Sequence, residues 1–188
     1  MLPWVVSAIW LVWFVVIAFT GYAPPQPGDK VDHAATRISV RADLITLVSL
    51  LAAIAVAIGV PQAAVPNVDW LIALGAVLVA AGLVLRHRAA AELGRYFTRS
   101  VLVRAGQHVV GTGPYRLVRH PGYLGILISE LGLALTLRNW FSLVLIATGF
   151  FLSHVPRILA EESTMETNLG EPYREFAHTR KRLIPGIW

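Results

Sequence analysis

Two stretches of this chain carry residue types whose spacing suits ligand chemistry. The first runs from Gly94 to Tyr123. It holds His108-Val109-Val110, then Gly111-Thr112-Gly113-Pro114-Tyr115, then Arg119-His120-Pro121-Gly122-Tyr123. Small residues in the middle group let a ligand approach the backbone closely. Pro121 suits the first turn of a helix, and the unpaired N–H groups of such a helix start would face an anionic group held by the loop. The second stretch begins at Arg157. Arg157 and Glu161 are spaced i, i+4 and share a helix face; Glu162 and Glu166 follow, then Gly170-Glu171-Pro172-Tyr173 and Arg180-Lys181-Arg182-Leu183-Ile184-Pro185. Glu130 stands alone inside an apolar run.

Each feature has a plainer reading beside the chemical one. A His-Pro pair at a helix start is also a simple cap. Arg157 with Glu161 is also an exposed ion pair, worth under about 1 kcal/mol. Glu130 differs, because an intramembrane carboxylate costs a few kcal/mol unless neutral or paired, which makes it functional or a neutral structural hydrogen-bonder. There are no cysteines, so disulfides, thiolate metal sites and cysteine nucleophiles are excluded. No metal site is evident in the sequence.

The elements that must hold these groups are legible from hydropathy. The chain has 188 residues, enough for one domain; 56% are apolar and 14% charged, against about 25% charged in an average soluble domain. Five apolar stretches stand out: Leu2 to Tyr22, Leu44 to Val60, Trp70 to Leu85, Tyr123 to Leu137 around Glu130, and Asn139 to Pro156. No Lys or Arg precedes the first and no small-residue cleavage site follows it, so it reads as a retained span rather than a signal peptide. The fourth and fifth are separated only by Arg138-Asn139-Trp140, which fits a tight helical hairpin. Trp4, Trp10, Trp13, Trp70 and Trp140 read as interface anchors. Val101 to Val110 reads as two short β-like runs around a turn at Ala105-Gly106. Ala23 to Gly28 is a stiff Pro-rich connector.

Lys and Arg alternate across these stretches. Segments 23–43, 86–122 and 157–188 carry three, seven and five, while segment 61–69 carries none and the 138–139 turn carries one. The positive-inside rule places the N-terminus outside and the C-terminus in the cytoplasm. The formal charge of +5 therefore reports orientation, and nucleic-acid binding is not expected. The expected fold is an all-α integral membrane protein of about five transmembrane helices with a cytoplasmic cofactor pocket. It forms a single membrane domain over 1–188: residues 1–92 hold spans one to three, and 93–188 form a catalytic half with spans four and five and a C-terminal cap.

Taken together and in order, the motifs resemble the isoprenylcysteine carboxyl methyltransferase family of membrane enzymes, within a wider group that includes phospholipid N-methyltransferases. The resemblance runs from about Leu93 to Pro185 and rests on His108-Val109-Val110, Gly113-Pro114-Tyr115, Arg119-His120-Pro121-Gly122-Tyr123, Arg157-x-x-x-Glu161-Glu162, Gly170-x-x-Tyr173 and Arg182-Leu183-Ile184-Pro185. It implies S-adenosylmethionine as cofactor and methyl donor. It implies cofactor-binding roles for His108, Val109, Val110, Gly113, Tyr115, His120, Pro121, Tyr123, Glu161 and Glu162. Arg157 is implied as the residue that handles a substrate carboxylate. The stretch from His108 to Tyr115 is one residue shorter than the usual pattern, so either the loop is trimmed or His108 is offset from the family histidine.

Methyl transfer from a sulfonium is an in-line displacement, in which an enzyme mostly positions reactants and excludes water. A carboxylate acceptor needs only Arg157 to orient it. An amine acceptor such as a phospholipid headgroup needs a base, for which Glu130 or Glu162 is available; Glu130 joins Arg157 as a candidate catalytic residue. The expected partner is a lipophilic or lipidated substrate reaching the site from the bilayer, amid membrane lipids, in a prokaryotic plasma (inner) membrane with the site facing the cytoplasm. Two rivals fit less well. A sterol-reductase-like enzyme using NADPH shares the Arg-His-Pro-x-Tyr turn, but this chain has Glu161-Glu162 and no cysteine downstream. A small transporter would concentrate polar groups at mid-membrane, where only Glu130 lies.

Overall fold

The computed structural model describes residues 3–18, 22–65 and 70–188. Among these described residues six α-helices follow in order: α1 (Pro3–Ala18), α2 (His33–Gly59), α3 (Trp70–Leu93), α4 (Pro121–Thr136), α5 (Trp140–Leu169) and α6 (Glu171–Thr179). Helices α2, α3 and α5 are each long and apolar enough to cross a membrane. Helices α1 and α4 have 16 residues each, about 24 Å at 1.5 Å per residue, short of a hydrocarbon core of about 30 Å. Three full-length spans and two short apolar helices thus stand where five spans are expected. Leu2 and residues 19–21, part of the expected first span, and residues 66–69 of the second loop lie outside the described residues. Leu44, Val48, Leu51, Val77, Val84, Val144 and Leu152 face outward. Such a belt of exposed aliphatic side chains is matched to lipid rather than to water.

Helix α2 begins eleven residues before its apolar run because Asp32 caps it, accepting a hydrogen bond from the Ala35 amide at 2.9 Å. That extension carries Asp43 into the helix. The expected hairpin between α4 and α5 is present: the Asn139 side chain accepts from the Ser142 amide at 3.1 Å and donates to the Val60 carbonyl at 3.1 Å.

Helices α3 and α4 meet along a glycine seam. A Cβ at Gly75 would stand 2.6 Å from the Gly132 carbonyl oxygen, and one at Gly132 would stand 2.6 Å from that of Gly75. Close backbone approach of this kind drives helix packing in lipid, where apolar burial gives little preference for protein over tails. The main core gathers Trp13, Leu50, Ala53, Val79, Leu133, Ala134 and Ile146 from α1 to α5.

Two local expectations are corrected. Trp10 and Trp13 are not interface anchors. Their indole N–H groups donate to Thr136 Oγ1 at 3.0 Å and Ser129 Oγ at 2.8 Å, which ties α1 to α4. Trp4, Trp70 and Trp140 are exposed. Nor do the two β-like runs pair with each other. Leu102–Val103 pairs antiparallel with Lys30–Val31, and His108 to Val110 forms no strand. The turn at Ala105-Gly106 is present, with Gly106 at φ 69. Buried Arg104 explains the change of partner: it binds Asp29 at 3.2 Å, the Pro24 carbonyl at 2.8 Å and the Arg95 carbonyl at 2.6 Å. The Pro-rich connector is thereby stitched onto the 94–107 loop, and the ladder follows it.

Candidate active site

One cavity of about 550 Å³ runs from this loop region into the helical bundle, within the usual size range of small-molecule sites. His120 precedes α4 and Pro121 starts it, which sets Tyr123 on the first turn. The Tyr123 hydroxyl donates to Glu161 Oε2 at 2.8 Å. Arg157, one turn earlier on α5, does not pair with Glu161. Its guanidinium binds Asp43 Oδ1 at 3.2 Å and the Arg99 carbonyl at 3.3 Å. It also sits 5.6 Å from the Tyr123 ring centroid. A buried guanidinium held from two sides is preoriented for a planar anion.

The loop contributes His108, Val109, Val110, Tyr115 and His120 to the cavity wall; α4 contributes Tyr123 and Glu130, and α5 contributes Arg157 and Glu161. His108 Nδ1 lies 3.4 Å from the Tyr96 hydroxyl. Tyr115 packs with Tyr173 and Phe176 of α6, which close the cavity from the C-terminal side. Burial, and then the nearby Glu161 carboxylate, push the Tyr115 phenol far above its ordinary range, so it stays a neutral hydrogen-bonding group.

Gly113, Pro121 and Glu162 are not in the cavity wall. Glu162 faces the other way, binding Arg119 at 2.9 Å, His120 at 3.1 Å and Arg182 at 2.8 Å. The C-terminal segment is pinned beside it, with the Arg119 and His120 amides donating to the Lys181 and Arg182 carbonyls at 2.9 Å each. Glu162 thus holds the His-Pro turn and the tail in place rather than lining the site.

Sequence reasoning misses several further groups that reach this cavity, three of them from the N-terminal half. Asp43, Arg86, Tyr22, Phe97 and His154 all line the cavity. Arg86 is buried on α3, bonded to the Tyr22 hydroxyl and lying 5.4 Å from the Phe97 ring centroid. Counted with the other loop arginines, it reads as an orientation charge. The one available signal for Asp43 is an isolated acid at the edge of an apolar run.

Residues 73–167 match the model of the isoprenylcysteine carboxyl methyltransferase (ICMT) family. The chain belongs to the isoprenylcysteine carboxyl methyltransferase family. Among ICMT-family relatives, Protein-S-isoprenylcysteine O-methyltransferase B of Arabidopsis thaliana is 31% identical over 120 residues, covering 63% of this chain and 61% of that protein. A probable protein-S-isoprenylcysteine O-methyltransferase of Oryza sativa subsp. indica is 37% identical over 124 residues, covering 63% of each. The chain thus spans less than two thirds of the length of either relative. The solved structure of a eukaryotic intramembrane Ras methyltransferase ICMT shares the fold, with a TM-score of 0.68, 24% identity and coverage of 97% of this chain and 64% of that one.

Proposed function

We propose that this chain transfers a methyl group from S-adenosylmethionine to the carboxylate of an isoprenylcysteine-like, lipophilic acceptor. The observation that carries this reading is the single cavity in which Arg157 stands beside the Tyr123–Glu161 pair and from which an apolar wall of Trp13, Phe14, Ile17, Leu47 and Leu50 continues.

The residues present fit the cofactor. Glu161 is an acceptor suited to a ribose hydroxyl or an amine, and Tyr115, Tyr173 and Phe176 offer aromatic faces to an adenine ring. His108, Val109, Val110, His120 and Tyr123 complete that end. Bound there, S-adenosylmethionine supplies an electrophilic methyl group on a sulfonium. Arg157, held by Asp43 and the Arg99 carbonyl, orients the acceptor carboxylate. A carboxylate is already an anion, so no protein base is required. Tyr173 and Phe176 exclude water from the polar end, and the apolar wall takes the lipid chain. The charge bias supports an arrangement with the polar end toward the cytoplasm of a prokaryotic plasma (inner) membrane, the cofactor arriving from water and the acceptor from the bilayer.

Isothermal titration of detergent-purified protein with S-adenosylhomocysteine tests the cofactor half, and transfer of a labelled methyl group to N-acetyl-S-farnesylcysteine tests the acceptor half. Saturable binding that Glu161→Ala abolishes, together with methylation of the farnesylcysteine, is expected. Absence of S-adenosylhomocysteine binding by folded protein would overturn the reading.

A further inference from the structure

Glu130 is a buried group of the cavity to which the proposed reaction gives no role. Glu130 lies on α4 seven residues past Tyr123, on the same face and about 10 Å further along the axis at 1.5 Å per residue. It is 1% exposed, and its Oε1 has no hydrogen-bond partner among the described residues. It lines the same cavity as Arg157. Two other polar side chains of that cavity are engaged: Trp13 Nε1 donates to Ser129 at 2.8 Å, and Thr46 Oγ1 donates to Ser153 at 3.1 Å. Trp13, Leu50 and Ile126 add apolar side chains to the same cavity. An acceptor oxygen left bare in such surroundings is costly, and a ligand that brings a donor removes the cost.

Proton transfer is not the role that this position suits. A general base must come within about 3 Å of the proton it takes. Arg157 sits over the ring of Tyr123, at 5.6 Å, and Glu130 lies two helical turns away from that residue. An acceptor whose head is docked on Arg157 presents its chain, not its head, to Glu130.

We infer that Glu130 is a specificity-determining residue that accepts a hydrogen bond from a hydroxyl group carried part-way along the acceptor's apolar chain, about 10 Å from the reacting carboxylate. The inference rests on the methyl-transfer reading above. A hydroxyl fits better than an ammonium because a neutral donor crosses hydrocarbon at far lower cost.

Two S-alkyl-N-acetylcysteines of equal chain length test it, one plain and one hydroxylated about 10 Å from the carboxylate. Wild type is expected to methylate the hydroxylated compound with a kcat/KM about tenfold higher or more. Glu130→Leu should abolish or reverse that preference, and Glu130→Gln, which keeps an acceptor, should retain most of it. S-adenosylhomocysteine affinity should be unchanged in both variants. Equal kcat/KM values in wild type need no variant to interpret and overturn the inference, as does a preference that survives in Glu130→Leu. Methylation of neither compound by protein that binds S-adenosylhomocysteine also overturns it while leaving the cofactor assignment standing. Loss of S-adenosylhomocysteine binding in wild type overturns the methyltransferase reading and this inference with it.

Discussion

The Tyr123 hydroxyl donates to Glu161 Oε2 across 2.8 Å, joining the first turn of α4 to the polar end of α5. This bond aims the carboxylate proposed to hold the cofactor. Tyr123→Phe keeps the ring under Arg157 and removes only the donor. S-adenosylhomocysteine affinity, read by isothermal titration, is expected to fall about three- to tenfold. An unchanged affinity would show that Glu161 needs no such alignment.

Arg157 and Glu161 should separate the two halves of the reaction. Arg157→Ala is expected to lower kcat/KM for a carboxylate acceptor by about a hundredfold or more while cofactor affinity stays within about twofold. Glu161→Ala should act mainly on cofactor affinity. Paired titration and turnover measurements on both variants check this, and the same loss of affinity in each would refute the division.

Glu162 binds Arg119 and His120 of the His-Pro turn and Arg182 of the tail. Glu162→Gln keeps the shape and removes the charge. A stability loss of about 1–3 kcal/mol is expected, together with faster tryptic cleavage in the Arg180–Arg182 segment. Cleavage at the wild-type rate would mean that the tail is held by other contacts, such as the fully buried Leu183.

Backbone contact between α3 and α4 leaves no room at Gly75, where a Cβ would lie 2.6 Å from the Gly132 carbonyl oxygen. Gly75→Leu is expected to lower the thermal midpoint in detergent sharply or to prevent folding, whereas Gly59→Ala, where a Cβ meets nothing within 4 Å, should be close to neutral. Similar midpoints for the two would argue against the seam.

Asp32 predicts an acid-side effect on stability. Hydrogen bonds from the Ala35 amide, and then from the Thr164 hydroxyl, hold its carboxyl below the usual range. A carboxyl whose pKa is depressed on folding stabilises fully above its unfolded value of about 3.9 and loses that contribution as pH falls through the folded value. The wild-type thermal midpoint should therefore drop below pH about 4. In Asp32→Asn the midpoint should be lower at neutral pH and the acid drop smaller. Parallel pH profiles for the two proteins would remove Asp32 as the source.

Much of the C-terminal half was legible in the chain because its motifs are local. Tyr123, Arg157 and Glu161 fall within short patterned runs, and helical spacing alone puts Arg157 and Glu161 on one face. Asp43 and Arg86 were not legible as site residues. Each stands at a span edge, where a charge has an ordinary explanation, and neither bears a fixed spacing to the residues it meets. Trp10 and Trp13 were misread for a related reason: an indole near a span end suits headgroups equally well until a partner hydroxyl is known.

By itself, the sequence determined that the chain is a helical membrane protein, roughly where its helices lie and which loop and helix carry the polar motifs. Those features depend on hydropathy and on contacts a few residues apart. Tertiary structure alone decided that Arg157 pairs with Asp43, 114 residues away, and that Glu162 holds the tail instead of lining the cavity. It also decided that Lys30–Val31 is the partner of Leu102–Val103. A single side chain has several oppositely charged or hydrogen-bonding partners available to it, and only the packing of helix against helix selects which comes within reach.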